Sequence, residues 1–138
     1  MLNYFSLYGD WAPLILRLML GAAFIAHGYP KLFKAENRQM FSGWLESMGL
    51  KPGKFWALVV GVVEFYGGIA LILGVYTQLV AMLLVINMVV AMWKAKWGKV
   101  GFTAQGGWEL DLAYLVIAVS LLLTGAGVWS LDKYFLSF

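Results

Sequence analysis

The sequence contains no cysteine, a single histidine and few charged residues. Without cysteine, the chain has no disulfide, no thiolate metal ligand, no dithiol redox pair and no cysteine nucleophile. One histidine excludes bis-histidine haem ligation and multi-histidine metal sites within one chain. We therefore predict no metal site. Charged residues make up only 12% of the 138 residues, too few for the surface of an ordinary soluble domain.

Apolar residues, in contrast, make up 62% of the chain. They gather in four runs, at about residues 13–33, 55–73, 79–93 and 110–128. Each is near the ~20 residues that a helix needs to cross a ~30 Å hydrocarbon core. The runs lack the alternation of barrel strands, and lipid offers no partner to free backbone groups. The sequence predicts an all-α integral membrane protein, a single-domain four-helix bundle over residues 1–138.

The basic residues lie beside the apolar runs and indicate an orientation. Two segments hold most of them, between runs one and two and between runs three and four: Lys31, Lys34, Arg38, Lys51, Lys54, and Lys94, Lys96, Lys99. Because basic loops stay in the cytoplasm, we predict that both segments are cytoplasmic and both termini are outside. We expect a multi-pass protein of the inner (plasma) membrane. We expect no nucleic-acid partner.

The segment between the first two runs, ENRQMFSGWLESMGLKPG, has its own pattern. Phe41, Trp44, Leu45 and Met48 fall at helical spacing, and Gly49 then offers a stop. This pattern predicts a short amphipathic helix in the cytoplasmic interface. The alternative is a polar loop with scattered aromatic residues.

Ionisable and amide side chains fall inside the predicted spans. Arg17 and Lys31 share one stripe of the first helix, with His27 about 80° round from Arg17. Glu64 lies halfway along the second helix, and Asn87 lies near the middle of the third. Small residues flank Glu64 on its stripe and would let a neighbouring helix approach closely: Ala57, Gly61 and Gly68.

These positions predict a buried cluster of Arg17, His27, Glu64 and Asn87. A charge facing lipid at the bilayer centre costs at least ~2.5–3.5 kcal/mol, so such groups turn inward and find partners. In one interpretation the cluster is structural: Arg17 pairs with Glu64 to fix helix register, and His27 donates to a backbone carbonyl. In the other it forms a polar pocket for a quinone headgroup or small anion. His27 and Glu64 would then be the catalytic residues, exchanging protons with the ligand.

At the start of the fourth run, Glu109 and Asp111 are two residues apart. They lie about 200° apart on a helix, so both cannot face the same pocket. Glu109 shares a side with Ser120 and Thr124, and we predict that it faces the interior, while Asp111 serves the positive helix N-terminus. In the pocket interpretation, the groups that bind the ligand are Arg17, Lys31, Asn87 and Glu109.

Several blocks together are similar to a known family. They are RLMLGAAFIAHGYPKLF in the first run, VVGVVEFYGGIALILGVYTQ in the second, GGWELDL at the start of the fourth, and TGAGVWSLD near the end. In order and spacing they resemble the DoxX family over residues 14–133. The last block has Ala126 where the family usually has proline. The family pattern falls on these residues: Arg17, His27, Gly28, Lys31, Glu64, Gly74 and Glu109.

The resemblance implies a four-helix membrane protein that is often described as an oxidoreductase. The family is named after the membrane subunit of an archaeal thiosulfate:quinone oxidoreductase. Mycobacterial members associate with sulfurtransferase and superoxide dismutase partners. It therefore implies quinone as the cofactor and a soluble redox or sulfur-metabolism protein as a partner, besides the bilayer. Broader relatives include cargo receptors and assembly chaperones, so the fold does not fix the activity.

We expect a quinone-facing membrane subunit or anchor of an oxidoreductase system. The chain has no nucleotide-binding glycine loop after a strand, so a bound quinone, another cofactor or a partner must supply the redox step. Two alternatives belong to other classes. One is a small-molecule transport or binding protein with a midplane site at Arg17 and Glu64, and the other is a scaffold or assembly factor without catalysis. The Gly61 and Gly68 spacing fits packing within the bundle or between protomers of a homo-oligomer.

Overall fold

A computed structural model describes residues 3–136 of the chain. The helices in chain order are α1 (Asn3–Ser6), α2 (Ala12–Phe33), α3 (Ala35–Ser47), α4 (Gly53–Leu73), α5 (Thr77–Ala91) and α6 (Glu109–Thr124). A 3₁₀ turn, Gly9–Trp11, leads into α2, and wider π-helical turns follow α5 (Met92–Lys96) and end the described chain (Asp132–Leu136). No strand occurs within residues 3–136, which confirms the predicted all-helical class.

Three helical segments of the described chain are long and apolar enough to cross a membrane: Gly9–Phe33, Gly53–Leu73 and Thr77–Lys96. The fourth predicted span forms α6, which has 16 residues and is shorter than the ~20 that a typical bilayer asks for. It ends at Thr124, before the predicted limit of residue 128, because Gly125 takes a positive φ of 78° and breaks the helix. Residues 1–2 and 137–138, the termini predicted to lie outside, are not among the described residues.

The helices α2, α4, α5 and α6 meet in one apolar core. Its fully buried side chains include one leucine from each of these helices: Leu20, Leu71, Leu84 and Leu121. The closest pair is α2 and α4, which run antiparallel. A Cβ added at Gly21 would lie 2.7 Å from the Gly68 carbonyl oxygen, and one at Gly28 would lie 2.5 Å from the Phe65 nitrogen. These glycines therefore bring the two backbones together and set the register of the pair.

The predicted short helix after the first span is α3, and it ends one residue before Met48. Its apolar side turns towards the other helices, and Leu45 is only 4% exposed. Both ends are tied down. The Arg38 guanidinium donates to the Leu32 carbonyl at 3.0 Å, and the Gly53 amide donates to the Glu46 carboxylate at 3.1 Å. As a result α3 covers one end of the packed helices.

Candidate functional site

A cavity of about 300 Å³ lies beneath α3, at the end of the molecule where α2 finishes and α4 begins. We call it the polar cavity. It takes residues from five helices and from the π-helical turn after α5. Its polar and aromatic lining consists of Phe24, His27, Lys31, Phe41, Trp44, Glu64, Asn87, Lys94, Lys96, Asp111 and Tyr114.

Glu64 is the most buried charged group of this lining, at 4% exposure. Its carboxylate accepts from Lys31 Nζ at 2.5 Å and from Asn87 Nδ2 at 3.0 Å. Three helices thus meet at one carboxylate, since Lys31 belongs to α2, Glu64 to α4 and Asn87 to α5. A buried carboxylate is stable only with such partners, because its desolvation is otherwise uncompensated. The ammonium and the amide each keep further donors that a ligand can use.

One wall of the polar cavity is aromatic. The Tyr114 ring lies 5.6 Å from the Phe24 ring and 5.9 Å from the His27 ring, between centroids. The His27 and Tyr114 planes are nearly perpendicular, at 76°, a favourable edge-to-face arrangement. This wall gives a planar ligand an apolar surface beside the charged groups of Lys31 and Glu64.

The rim towards α6 carries a second ion pair, between Lys96 Nζ and Asp111 Oδ2 at 2.6 Å. Lys96 also donates to the Gly107 carbonyl at 3.2 Å. Lys94 adds a further ammonium to the lining. With His27 neutral, the lining has three ammonium groups against the carboxylates of Glu64 and Asp111. Its net charge is therefore positive, which favours ligand groups rich in electrons, such as carbonyl oxygens.

The structure corrects the predicted roles of Glu109 and Asp111. Glu109 is exposed and lies outside the polar cavity, whereas Asp111 lines it. The buried stripe of α6 is Tyr114, Ala118 and Leu121, which continues from Asp111 at helical spacing. Ser120 and Thr124 had suggested the opposite side, but each hydroxyl donates to a carbonyl of its own helix turn, Val116 and Ser120 respectively. Their polarity is satisfied locally and does not report on the interior.

The prediction that Arg17 joins Glu64 is also wrong. The Arg17 guanidinium lies at the other end of α4, where it donates to the carbonyls of Leu71 at 3.0 Å and Ile72 at 3.2 Å, and also to that of Trp129. The antiparallel register explains the separation. With Gly21 against Gly68, positions before Gly21 on α2 meet the C-terminal end of α4, and Lys31 meets Glu64. Carbonyls at a helix C-terminus lack partners in their own helix and carry partial negative charge, which suits a buried cation.

Asp132, which the sequence analysis did not single out, is a buried acid at the same end of the molecule as Arg17. Asp132 is 5% exposed, and its carboxylate accepts from the amides of Tyr76 at 2.6 Å and Thr77 at 2.8 Å. Its own amide donates to the Gly74 carbonyl at 2.8 Å. Asp132 therefore caps the N-terminus of α5 from a distant part of the chain. Together with Arg17 it fixes the TGAGVWSLD segment to the bundle.

Of the predicted site residues, the structure brings together His27, Lys31, Glu64 and Asn87, and it separates Arg17 and Glu109 from them. The predicted burial of His27 is wrong, because its side chain lines the cavity but is exposed. Sequence reasoning missed Tyr114 and the pairing of Lys96 with Asp111. The signal for both was the α6 stripe that begins at Asp111. It also missed that Phe41 and Trp44 of the amphipathic α3 face line the cavity.

The chain is similar to a family of known proteins and to several individual relatives. The sequence model of the family described as DoxX matches residues 12–97. An uncharacterized membrane protein of Mycobacterium tuberculosis, Rv3486, is 32% identical, with 91% of this chain and 82% of that protein covered. The protein named "Putative oxidoreductase CatD" in Bacillus subtilis is 31% identical, with 88% and 84% covered.

An uncharacterized protein of Haemophilus influenzae is 30% identical, with 97% of this chain and 98% of the relative covered. No solved structure matches the chain significantly. The family match includes the helices that carry His27, Lys31, Glu64 and Asn87, and it stops before α6.

Proposed function

This chain belongs to the DoxX family of membrane proteins, and we propose that it is a quinone-binding subunit or anchor of an oxidoreductase system. The polar cavity would hold the quinone headgroup. The observation that carries the proposal is the Glu64 carboxylate, buried on Lys31 and Asn87 in a cavity that His27 and Tyr114 also line. The name of CatD supports the oxidoreductase part.

The lining matches a quinone headgroup in two respects. A quinone ring is planar, and Tyr114, Phe24 and His27 provide the aromatic wall against which it would lie. Quinone carbonyls are acceptors, and the lining offers spare donors from Lys31 Nζ and Asn87 Nδ2, each of which uses one hydrogen on Glu64. Pockets of this type are mostly apolar, with a few convergent polar groups.

The redox step requires a partner. Reduction of a quinone to a quinol takes two electrons and two protons. We assign the electrons to a soluble redox or sulfur-metabolism protein on the cytoplasmic side. The two protons would come from cytoplasmic water, and His27 and Glu64 would each take up a proton and pass it to a quinone oxygen, returning to the neutral imidazole and the carboxylate. Lys31 would orient the headgroup and would hold Glu64 in place.

We further propose that α6 is a fourth span, that the basic segments are cytoplasmic, and that the membrane is the plasma membrane. Lys31 and Phe41 from the first basic segment and Lys94 and Lys96 from the second line the same cavity, so both segments lie at one end of the helices. This is the arrangement that the positive-inside rule requires. A helix of 16 residues is about 24 Å long, and the segments that flank it would complete the crossing.

The test compares Glu64→Gln with Glu109→Gln, an exposed acid just outside the polar cavity. Each purified variant is titrated with a short-chain ubiquinone in mild detergent, and the retained quinone is measured by chromatography. We expect Glu64→Gln to weaken binding about tenfold, equal to about 1.4 kcal/mol, because it loses the charge that holds Lys31. Glu109→Gln should bind like the parent.

A second variant guards against misfolding of Glu64→Gln. Asn87→Ala keeps the ion pair but removes the amide, and it should also weaken quinone binding. Its elution volume in size-exclusion chromatography and its helical circular dichroism should stay those of the parent protein. Absence of saturable binding to the parent protein, or equal binding by Glu64→Gln and Glu109→Gln, would overturn the proposal.

A further inference from the structure

A second cavity, of about 560 Å³, opens on the side of the molecule between α2 and α3. We call it the side cleft. It shares four lining residues with the polar cavity: His27, Lys31, Phe41 and Trp44. The two spaces are therefore neighbours across a single layer of side chains. The remaining lining of the side cleft is Pro30, Asn37 and Met40.

We propose that the side cleft is the entrance to the polar cavity and the seat of a hydrocarbon tail. The ligand would be an amphiphile that resides in the membrane, entering headgroup first between α2 and α3. This inference rests on the proposed function, because it takes the polar cavity as the headgroup site.

The route leads from uncharged side chains at the mouth to charged groups inside. At the mouth, Met40 is 74% exposed and Trp44 is 45% exposed, and neither carries a charge. Deeper in, the Lys31 ammonium lies 4.5 Å from the centre of the Phe41 ring and 2.5 Å from the Glu64 carboxylate. A ligand with its polar end at Lys31 would leave its apolar end against Phe41, Trp44 and Met40. Tryptophan at such a mouth is typical of the headgroup layer of a bilayer.

The opposite rim of the polar cavity is held together by contacts. Lys96 pairs with Asp111 at 2.6 Å and donates to the Gly107 carbonyl, which ties the chain after α5 to the start of α6. On the α3 side, the helix is fixed at both ends by Arg38 and Glu46. The side cleft thus lies between helices that are held in place, and a ligand can use it without unfolding α3.

The entrance can be narrowed at Met40. Met40→Trp adds bulk at the mouth, and Gln39→Trp is its control, because Gln39 is exposed on the same helix and lines neither cavity. Each variant is placed in lipid nanodiscs and titrated with two probes, ubiquinone with its full isoprenoid tail and the same benzoquinone ring without a tail. We expect Met40→Trp to weaken binding of the tailed quinone about tenfold and that of the tailless ring less than about twofold. Gln39→Trp should change neither.

Cysteine protection gives a second readout, since the chain has no native cysteine. In Met40→Cys, the tailed quinone should slow maleimide labelling, and the tailless ring should not. If Met40→Trp weakened binding of both probes equally, or weakened binding of neither, the proposal that the side cleft is the entrance would be overturned. Failure of the proposed function has a different signature, in which the parent protein binds neither probe and Glu64→Gln has no effect.

Discussion

At the scale of single residues, the Glu64 carboxylate is the point on which the polar cavity depends. It is nearly inaccessible, and it is shared by a cation and an amide from two other helices. A buried ion pair contributes little net stability compared with an apolar pair, but removing one partner is costly because the other charge stays buried. Lys31 and Glu64 should therefore behave as one unit in stability measurements.

We predict that Lys31→Met destabilises the protein by about 3 kcal/mol, the lower end of the cost of breaking a buried pair. The lower end applies because the Lys31 side chain keeps 19% exposure. The double variant Lys31→Met, Glu64→Gln should recover part of this loss, since no unpaired charge remains. Chemical denaturation in detergent, arranged as a double-mutant cycle, measures the coupling. Strictly additive effects would contradict the pairing.

At the scale of helices, the contact between α2 and α4 sets the positions of the site residues. Its glycines permit an approach that no other residue allows, since a Cβ at Gly68 would lie 2.6 Å from the Gly21 carbonyl oxygen and 2.9 Å from the Ile25 nitrogen. Backbone atoms cannot move aside as side chains can. The same register places Lys31 at Glu64 and Arg17 at the C-terminal carbonyls of α4.

Gly68→Ala should therefore lower stability by about 1–3 kcal/mol, the usual cost of overpacking. Gly67→Ala is the matched control, because its new Cβ would meet only the Val80 side chain, at 3.3 Å. Thermal unfolding in the same detergent compares the two. Since Gly68→Ala forces α2 and α4 apart, it should also weaken quinone binding, although Gly68 does not line the polar cavity. Equal stability of the two variants would show that the contact is looser than described.

At the scale of the whole molecule, two basic segments that are far apart in sequence meet at one end. The segment with α3 covers the polar cavity, and the chain from Lys94 to Asp111 forms its other rim. Eight of the ten lysine and arginine residues and the candidate site therefore lie at one end of the helices. The other end is fixed by Arg17 and Asp132.

This arrangement predicts the labelling pattern of single cysteines introduced into the cysteine-free chain. Lys51→Cys and Lys99→Cys should react with a membrane-impermeant maleimide only after the membrane is opened. Phe5→Cys and Tyr76→Cys, at the other end, should react in intact cells. All four residues are exposed, so differences in labelling between the variants report the side of the membrane on which each cysteine lies. Labelling of Lys51→Cys and Lys99→Cys from opposite sides would rule out the four-span topology.

The sequence by itself determined which faces of α2 and α4 are buried. The stripe of Arg17, Gly21, Phe24 and Gly28 is buried in α2, and the stripe that contains Glu64 is buried in α4. Such stripes follow from helical periodicity and from the cost of exposing charge to lipid, and both are local properties. The all-helical class follows from the same local patterns, whereas the resemblance to the DoxX family rests on the order and spacing of whole sequence blocks.

Only the tertiary structure decided which buried groups are partners. Arg17 and Lys31 lie on one stripe of α2, and both could serve Glu64 until the register with α4 is known. The rotation of α6, which separates Asp111 from Glu109, likewise depends on packing rather than on the polarity of Ser120 and Thr124. Partner choice is set by the relative shift and rotation of helices, and these are fixed by contacts between residues far apart in the chain, such as Gly21 with Gly68.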